Sequence, residues 1–172
     1  RSSDLTIQQC LQNHRNLARL AAAYYYPASS ALTAEEAERE SRRFGNHFGV
    51  EFGTVYRSAA IIADGTTPPD VDDSYSDYAP CATPGCRAPH AWLGNESEPV
   101  STLDLFGAGF TVLTGAGGAI WRRAAAGAGR EFGVPIASYA IGDPGLSDHT
   151  NTFFDLYEIG CDGAVLVRPD GY

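Results

Sequence analysis

The feature that most constrains this chain is a strand–helix–strand pattern in its last third. Phe110-Thr111-Val112-Leu113 is a short apolar run of the kind that is buried on both faces of a sheet. Gly115-Ala116-Gly117-Gly118 then turns the chain into a helical stretch from about Ala119 to Phe132, which Gly133 stops. A second strand follows at residues 134–141. A connection of that length joins parallel strands through a right-handed crossover, so this part of the chain is α/β. After a loop at Gly142-Asp143-Pro144-Gly145 the pattern predicts a short helix around residues 152–157. A third, buried strand is predicted at residues 164–167, and Pro169-Asp170-Gly171 is a turn signal for a hairpin.

Upstream lies a loop shaped by rigid and permissive residues. Pro84 and Pro89 fix φ, and Gly85 opens backbone angles that side chains forbid. Arg87 and His90 sit inside it, a fork of donors and a titratable ring held in one place. Next, Ser101-Thr102-Leu103-Asp104 places a capping Ser three residues before a carboxylate, a capping-box arrangement in which Asp replaces the preferred Glu or Gln.

Three of these stretches, in order, resemble one family. PGCRAPHAWL at residues 84–93, STLDLFGAGFTVLTG at 101–115 and VLVRPDGY at 165–172 are similar to the C-terminal region of the flavin-dependent phenol hydroxylases, nearest the chlorophenol and polyketide aromatic hydroxylases. The likeness runs from about Phe48 to Tyr172. It implies a thioredoxin-like domain that follows a flavin-binding domain and a substrate domain, here lacking its last strand and helix. It implies an oxidoreductase parent that uses FAD and NADPH to hydroxylate phenolic substrates. It places no cofactor-binding or catalytic residue in this chain, whose role is then accessory, structural or in subunit contact. The expected partners are the flavin-binding and substrate domains of the parent, or a second copy in a homodimer.

The first part of the chain is read as a helical appendage. Residues 4–26 carry an apolar stripe at helical spacing that Pro27 ends, and Thr33-Ala34-Glu35-Glu36 is a capping box opening a charged helix to about Phe48, with Gly49 as its stop. Residues 1–48 are expected to be the tail of a substrate domain, or a lid. Residues 49–84 then combine a β-type stretch at 50–62 with a solvated, acidic strap at 66–79 containing Asp70, Asp72, Asp73 and Asp77. The strap lacks the spacing of a calcium loop. Residues 85–172 form the thioredoxin-like domain.

Charge and length narrow the function classes. A net charge of −9 opposes nucleic acid and anionic membrane surfaces, both of which call for basic patches. No apolar run reaches the length of a bilayer span. The chain of 172 residues begins at Arg1 and holds no Met, which reads as a piece of a longer protein, and its four Cys are too sparse for a disulfide framework. A reduced, cytoplasmic setting is the expectation. Asn95-Glu96-Ser97 is a glycosylation sequon, read as coincidence.

The remaining motifs are weighed on chemistry. The Gly115–Gly118 turn lacks the third glycine of a dinucleotide loop and the Lys of a P-loop, so it is read as a tight turn. It also lacks the Cys-x-x-Cys that thiol exchange needs at that helix start. Cys81, Cys86 and His90 have metal-ligand residue types, although Cys-x4-Cys departs from the usual zinc spacing and no second pair follows. Arg87, Pro89, His90 and Trp92 are the candidates for contact with a neighbouring domain or protomer. As indoles, Trp92 and Trp121 are otherwise expected in the core. Two alternatives therefore stand beside the hydroxylase reading: a redox-inactive thioredoxin-like interaction module, and a small zinc protein built on Cys81, Cys86 and His90.

Overall fold

The computed structural model describes residues 32–172 and, before them, residues 8, 11, 14, 15, 17–19, 21, 22, 24 and 25, which are helical. The limits of the helix expected at 4–26 fall outside the described residues. The chain divides into two units, Arg1–Tyr56 with Asp70–Ala79, and Arg57–Pro69 with Pro80–Tyr172.

In the first unit, α1 (Ala34–Arg43) starts at the expected capping box: Thr33 Oγ1 accepts from the Glu36 N–H at 3.2 Å, and Glu36 Oε2 accepts from the Thr33 N–H at 2.8 Å. The helix ends sooner than the charge pattern suggests. Phe44 is extended and Gly45 has φ +73°, so the chain leaves the helix there and opens a second, short helix, α2 (Phe48–Phe52). Gly49 is therefore not a stop. It lies buried inside α2, where a Cβ would meet the Ser74 carbonyl at 2.3 Å.

Two expectations about residues 50–79 are corrected here. Residues 50–62 form no strand: α2 takes their start, and irregular chain follows. The acidic segment is solvated only in part: residues 66–72 are exposed apart from half-buried Pro68, whereas the chain from Asp73 on is partly packed down. The Val50 N–H donates to the Tyr75 carbonyl at 3.2 Å, and Ser76 is buried. Asp73 accepts two parallel hydrogen bonds of 2.7 Å from the Arg43 guanidinium. Composition signalled polarity, but a bidentate pair can dock a polar segment.

The second unit is a mixed α/β fold with two small sheets. Trp92–Asn95 (β1) and Glu98–Ser101 (β2) form an antiparallel ribbon, a hairpin that the sequence reading did not assign. Its turn is built by Asn95, whose Oδ1 accepts from the Ser97 N–H, the Ser97 hydroxyl and the Glu98 N–H at 3.0, 2.6 and 2.9 Å. That local turn gives the sequon a structural use. A single 3-10 turn, η1 (Thr102–Leu105), leads on to the larger sheet.

In that sheet β3 (Phe110–Gly115) is central, parallel to β4 (Ile136–Ile141) on one side and antiparallel to β5 (Ala164–Val167) on the other. The crossover helix α3 (Ala119–Phe132) ends as expected on Gly133, at φ +64°. The expected short helix is α4 (Thr152–Tyr157); Asp148 accepts from the N–H groups of Thr152, Phe153 and Phe154 at 3.1, 2.8 and 3.3 Å.

Strand alternation sorts the two faces of the sheet. Leu113 lies beside Tyr139 and Val165, and this face, with Ile141 and Val167, packs on Phe153, Tyr157, Leu93, Ala88 and Ala91 to make the core. Helix α3 covers β3 and β4 on the opposite face. Edge strand β5 is not the fully buried strand expected, because Leu166 points to that opposite face and is 57% exposed. Among the described residues no helix is long and apolar enough to cross a membrane.

Candidate functional site

The three stretches singled out in the sequence converge on residues 88–91. The Pro89 carbonyl accepts from the Tyr157 hydroxyl at 2.7 Å and from the Thr102 hydroxyl at 3.1 Å. The same Thr102 hydroxyl accepts from the Ala91 N–H at 2.9 Å, and the Thr102 N–H donates to the Ala91 carbonyl at 3.0 Å. From the chain's far end, the Gly171 carbonyl accepts from the Ala88 N–H at 2.8 Å. Thr102 has no exposed surface, and it is held in place by the expected capping box: Ser101 Oγ accepts from the Leu103 N–H and Asp104 Oδ2 from the Ser101 N–H. Buried backbone groups must find partners, and here two side-chain hydroxyls supply them. Thr102 and Tyr157 were missed in the sequence. Thr102 left only the trace of standing beside a capping Ser, and Tyr157 is distant in the chain.

The candidate contact residues separate by burial. Pro89 departs from the expectation: it is fully buried and anchors the loop inside its own unit. Arg87 is half-buried. His90 and Trp92 point outward from an extended segment whose alternate residues, Ala91 and Leu93, are in the core. The two outward rings meet edge to face, centroids 4.7 Å apart at 88°. Trp92 is 59% exposed and Trp121 51%, against the expectation of core indoles. The Trp121 Nε1–H is satisfied at the surface by the Asp162 carbonyl at 3.0 Å.

Burial, followed by the neighbouring Cys81 thiol, pushes Cys86 up to about 12. His90 does not join them; its ring is engaged with Trp92 instead. Among the described residues no three His, Cys, Asp or Glu side chains form a metal-binding group. The zinc reading thus lacks a third ligand.

The Gly115–Gly118 loop is filled by the chain itself. The Gly117 N–H donates to the Cys161 carbonyl at 2.8 Å, and a Cβ at Gly115 would meet that carbonyl at 2.3 Å. A Cβ on Gly118 would meet Thr114 at 2.6 Å and the Gly163 carbonyl at 3.1 Å. These glycines make room for the Cys161–Gly163 turn, so the loop does not fit the phosphates of FAD or NADPH.

Residues 82–172 match the family model described as aromatic-ring hydroxylase, C-terminal. The chain is 42% identical over 119 residues to an aklavinone 12-hydroxylase of Streptomyces purpurascens, covering 69% of this chain and 22% of that protein. It is 37% identical over 165 residues to a 2,4-dichlorophenol 6-monooxygenase of Delftia acidovorans, covering 94% of this chain and 28% of the relative. Among solved structures it is similar to the flavin-dependent monooxygenase PieE, determined with FAD and substrate. The TM-score is 0.72 at 33% identity, over 99% of this chain and 34% of that one. The chain thus spans only about a quarter to a third of the length of these proteins.

Proposed function

Because the chain belongs to the aromatic-ring hydroxylase C-terminal family, we propose that it is the C-terminal part of an FAD-dependent monooxygenase that hydroxylates phenol-type aromatic substrates with NADPH and O₂. In such a parent the flavin supplies the oxygen-transfer chemistry. This chain then acts as an accessory, non-catalytic part that contacts the flavin-binding domain, the substrate domain or a second copy, in the cytoplasm. Residues 1–48 are the tail of the substrate domain in this reading.

The single observation that carries the accessory role is the division of labour in residues 88–93. The backbone there is locked inward by Pro89, Thr102 and Tyr157, while His90 and Trp92 are presented outward as a paired ring surface. A rigid loop that displays a large aromatic beside a titratable ring is suited to docking, since exposed indoles anchor interfaces at low entropy cost. The thioredoxin-like reading of the fold is supported by the parallel β3–α3–β4 unit with an antiparallel β5 on the free side of β3.

The test is made in the full-length parent, with His90→Ala and Trp92→Ala singly and together. FAD content, assembly state by light scattering, and hydroxylation per bound FAD are measured. Docking predicts weakened assembly or FAD retention, with turnover per bound FAD within about twofold of wild type. Loss of hydroxylation in a variant that keeps its assembly and its FAD would replace the accessory role with a catalytic one.

A further inference from the structure

We propose that Arg43 is a two-position latch. Its guanidinium holds Asp73 while the turn at residues 73–77 is docked, and closes on Glu40 when that turn opens, which frees the exposed chain leading into it. This goes beyond the accessory docking role and does not depend on it.

In the docked position Arg43 Nε and Nη2 each donate to Asp73 at 2.7 Å. The same turn sets the Tyr75 ring centroid 5.2 Å from the guanidinium carbon, so one segment supplies both an anion and an aromatic face. The turn is closed on itself: the Asp77 N–H donates to the Asp73 carbonyl at 2.8 Å, and Asp73 Oδ1 accepts from the Tyr75 N–H at 3.1 Å. Against α2 it is held by the Val50 N–H, which donates to the Tyr75 carbonyl at 3.2 Å. The chain before the turn is open to solvent. Of residues 57–72 all but Ile61 and Pro68 are exposed, and Ile62 is 86% exposed. Arg43 thus pins the end of a long solvent-facing stretch.

Glu40 is the second position. It stands three residues before Arg43 on α1, and residues so spaced are neighbours on a helix surface. Glu40 is only 5% exposed, yet its Oε2 is buried without a hydrogen-bond partner. Its Oε1 lies 3.7 Å from Arg43 Nη1, which is ion-pair contact but too long for a hydrogen bond. Nη1 is also the guanidinium nitrogen that Asp73 leaves unused. A buried carboxylate oxygen without a donor is costly, so the docked arrangement carries a demand that it does not meet. Rotation of the Arg43 side chain meets it with no movement of the helix, because a guanidinium can offer Glu40 the same two-pronged contact it now gives Asp73. Opening of the turn therefore does not strand the cation. What Arg43 loses at Asp73 it regains in part at Glu40, and two arrangements close in free energy make a latch rather than a fixed tie.

The test reads hydrogen exchange of the Val50 amide in the full chain, since its bond to the Tyr75 carbonyl exists only while the turn is docked. Amides inside α1 report unfolding of the helix itself and serve as the control. A fixed tie, in which Glu40 merely steadies Arg43, requires Glu40→Gln and Asp73→Asn both to speed Val50 exchange. The latch requires opposite signs. Asp73→Asn should speed it about fivefold relative to the α1 amides. Glu40→Gln should slow it about threefold, because the open arrangement loses its anion while the Asp73 contact is kept. Should Glu40→Gln not fold, Glu40→Met takes its place, an apolar side chain of similar length in a buried position. Val50 exchange that is faster or unchanged in the Glu40 variant overturns the latch. Failure of both Glu40 variants to fold overturns it too, by making Glu40 a support of the docked chain.

Discussion

Tyr157 donates its phenolic hydrogen to the carbonyl of Pro89 at 2.7 Å, across 68 positions of sequence, in a buried setting. That bond ties α4 to the loop that carries His90 and Trp92. Thr102 donates to the same carbonyl from only 13 positions further along the chain. The loop is thus fixed by groups from three separate segments before any partner is considered.

The two hydroxyls should not be equally costly to remove. Tyr157→Phe leaves the Pro89 carbonyl with the Thr102 donor, so the loss should be near the ordinary net value of about 1 kcal/mol. Thr102→Val removes a donor to Pro89 and also orphans the buried Ala91 N–H, whose acceptor it is. The expected cost is roughly 2–3 kcal/mol. Urea unfolding of both variants should rank Thr102→Val as the more damaging; the reverse order would mean that the Thr102 site admits water.

The Arg43–Asp73 pair sets an acid limb in the stability profile. Hydrogen bonding from the Arg43 guanidinium holds the Asp73 carboxyl down to about 2, below its ordinary 3.8. A depressed folded value means that the contribution is complete above the ordinary value and is lost as pH falls through the lowered one. Partial exposure screens the pair, so its worth is on the order of 1 kcal/mol. Asp73→Asn should lower stability by about that amount near neutral pH. It should also flatten the decline between about pH 4 and pH 2. A variant whose decline matches wild type in that window would show that other carboxylates set it.

How far the sequence could be read followed the range of the forces involved. The β3–α3–β4 unit, both capping boxes, α4 and β5 were legible because periodicity, caps and glycine stops act over a few residues. The β1–β2 ribbon was hidden by strands of four residues, one of which contains Gly94 and the other Pro99. Residues 50–62 carried β-type composition, yet their start is helical, where Gly49 lets the 74–77 backbone approach α2 closely. Docking of the acidic segment depended on Arg43, thirty positions earlier, a pairing no local pattern encodes. At the site, the loop residues were visible by type, but which of them point inward was decided by partners at Thr102, Tyr157 and Gly171.

Two glycines on either side of the α3 start and middle should respond to alanine with opposite signs. At Gly115 a Cβ would stand 2.3 Å from the Cys161 carbonyl oxygen and 2.6 Å from its carbonyl carbon. Both are backbone atoms, so no side chain can swing away, and the Cys161–Gly163 turn must move. That movement would stretch the Gly117 N–H bond to Cys161, now 2.8 Å. Overpacking of this kind costs about 1–3 kcal/mol, and the lost turn places Gly115→Ala toward the upper end. At Gly127, inside α3, a Cβ would meet nothing within 4 Å. There the substitution only restricts the unfolded chain and improves helix propensity, a gain of roughly 0.5–1 kcal/mol. Denaturant unfolding of the two variants under one set of conditions should bracket wild type, Gly115→Ala below and Gly127→Ala above. If Gly115→Ala were neutral, the Gly115–Gly118 loop would not rest on the Cys161 turn, and the objection to a phosphate in that loop would fall with it.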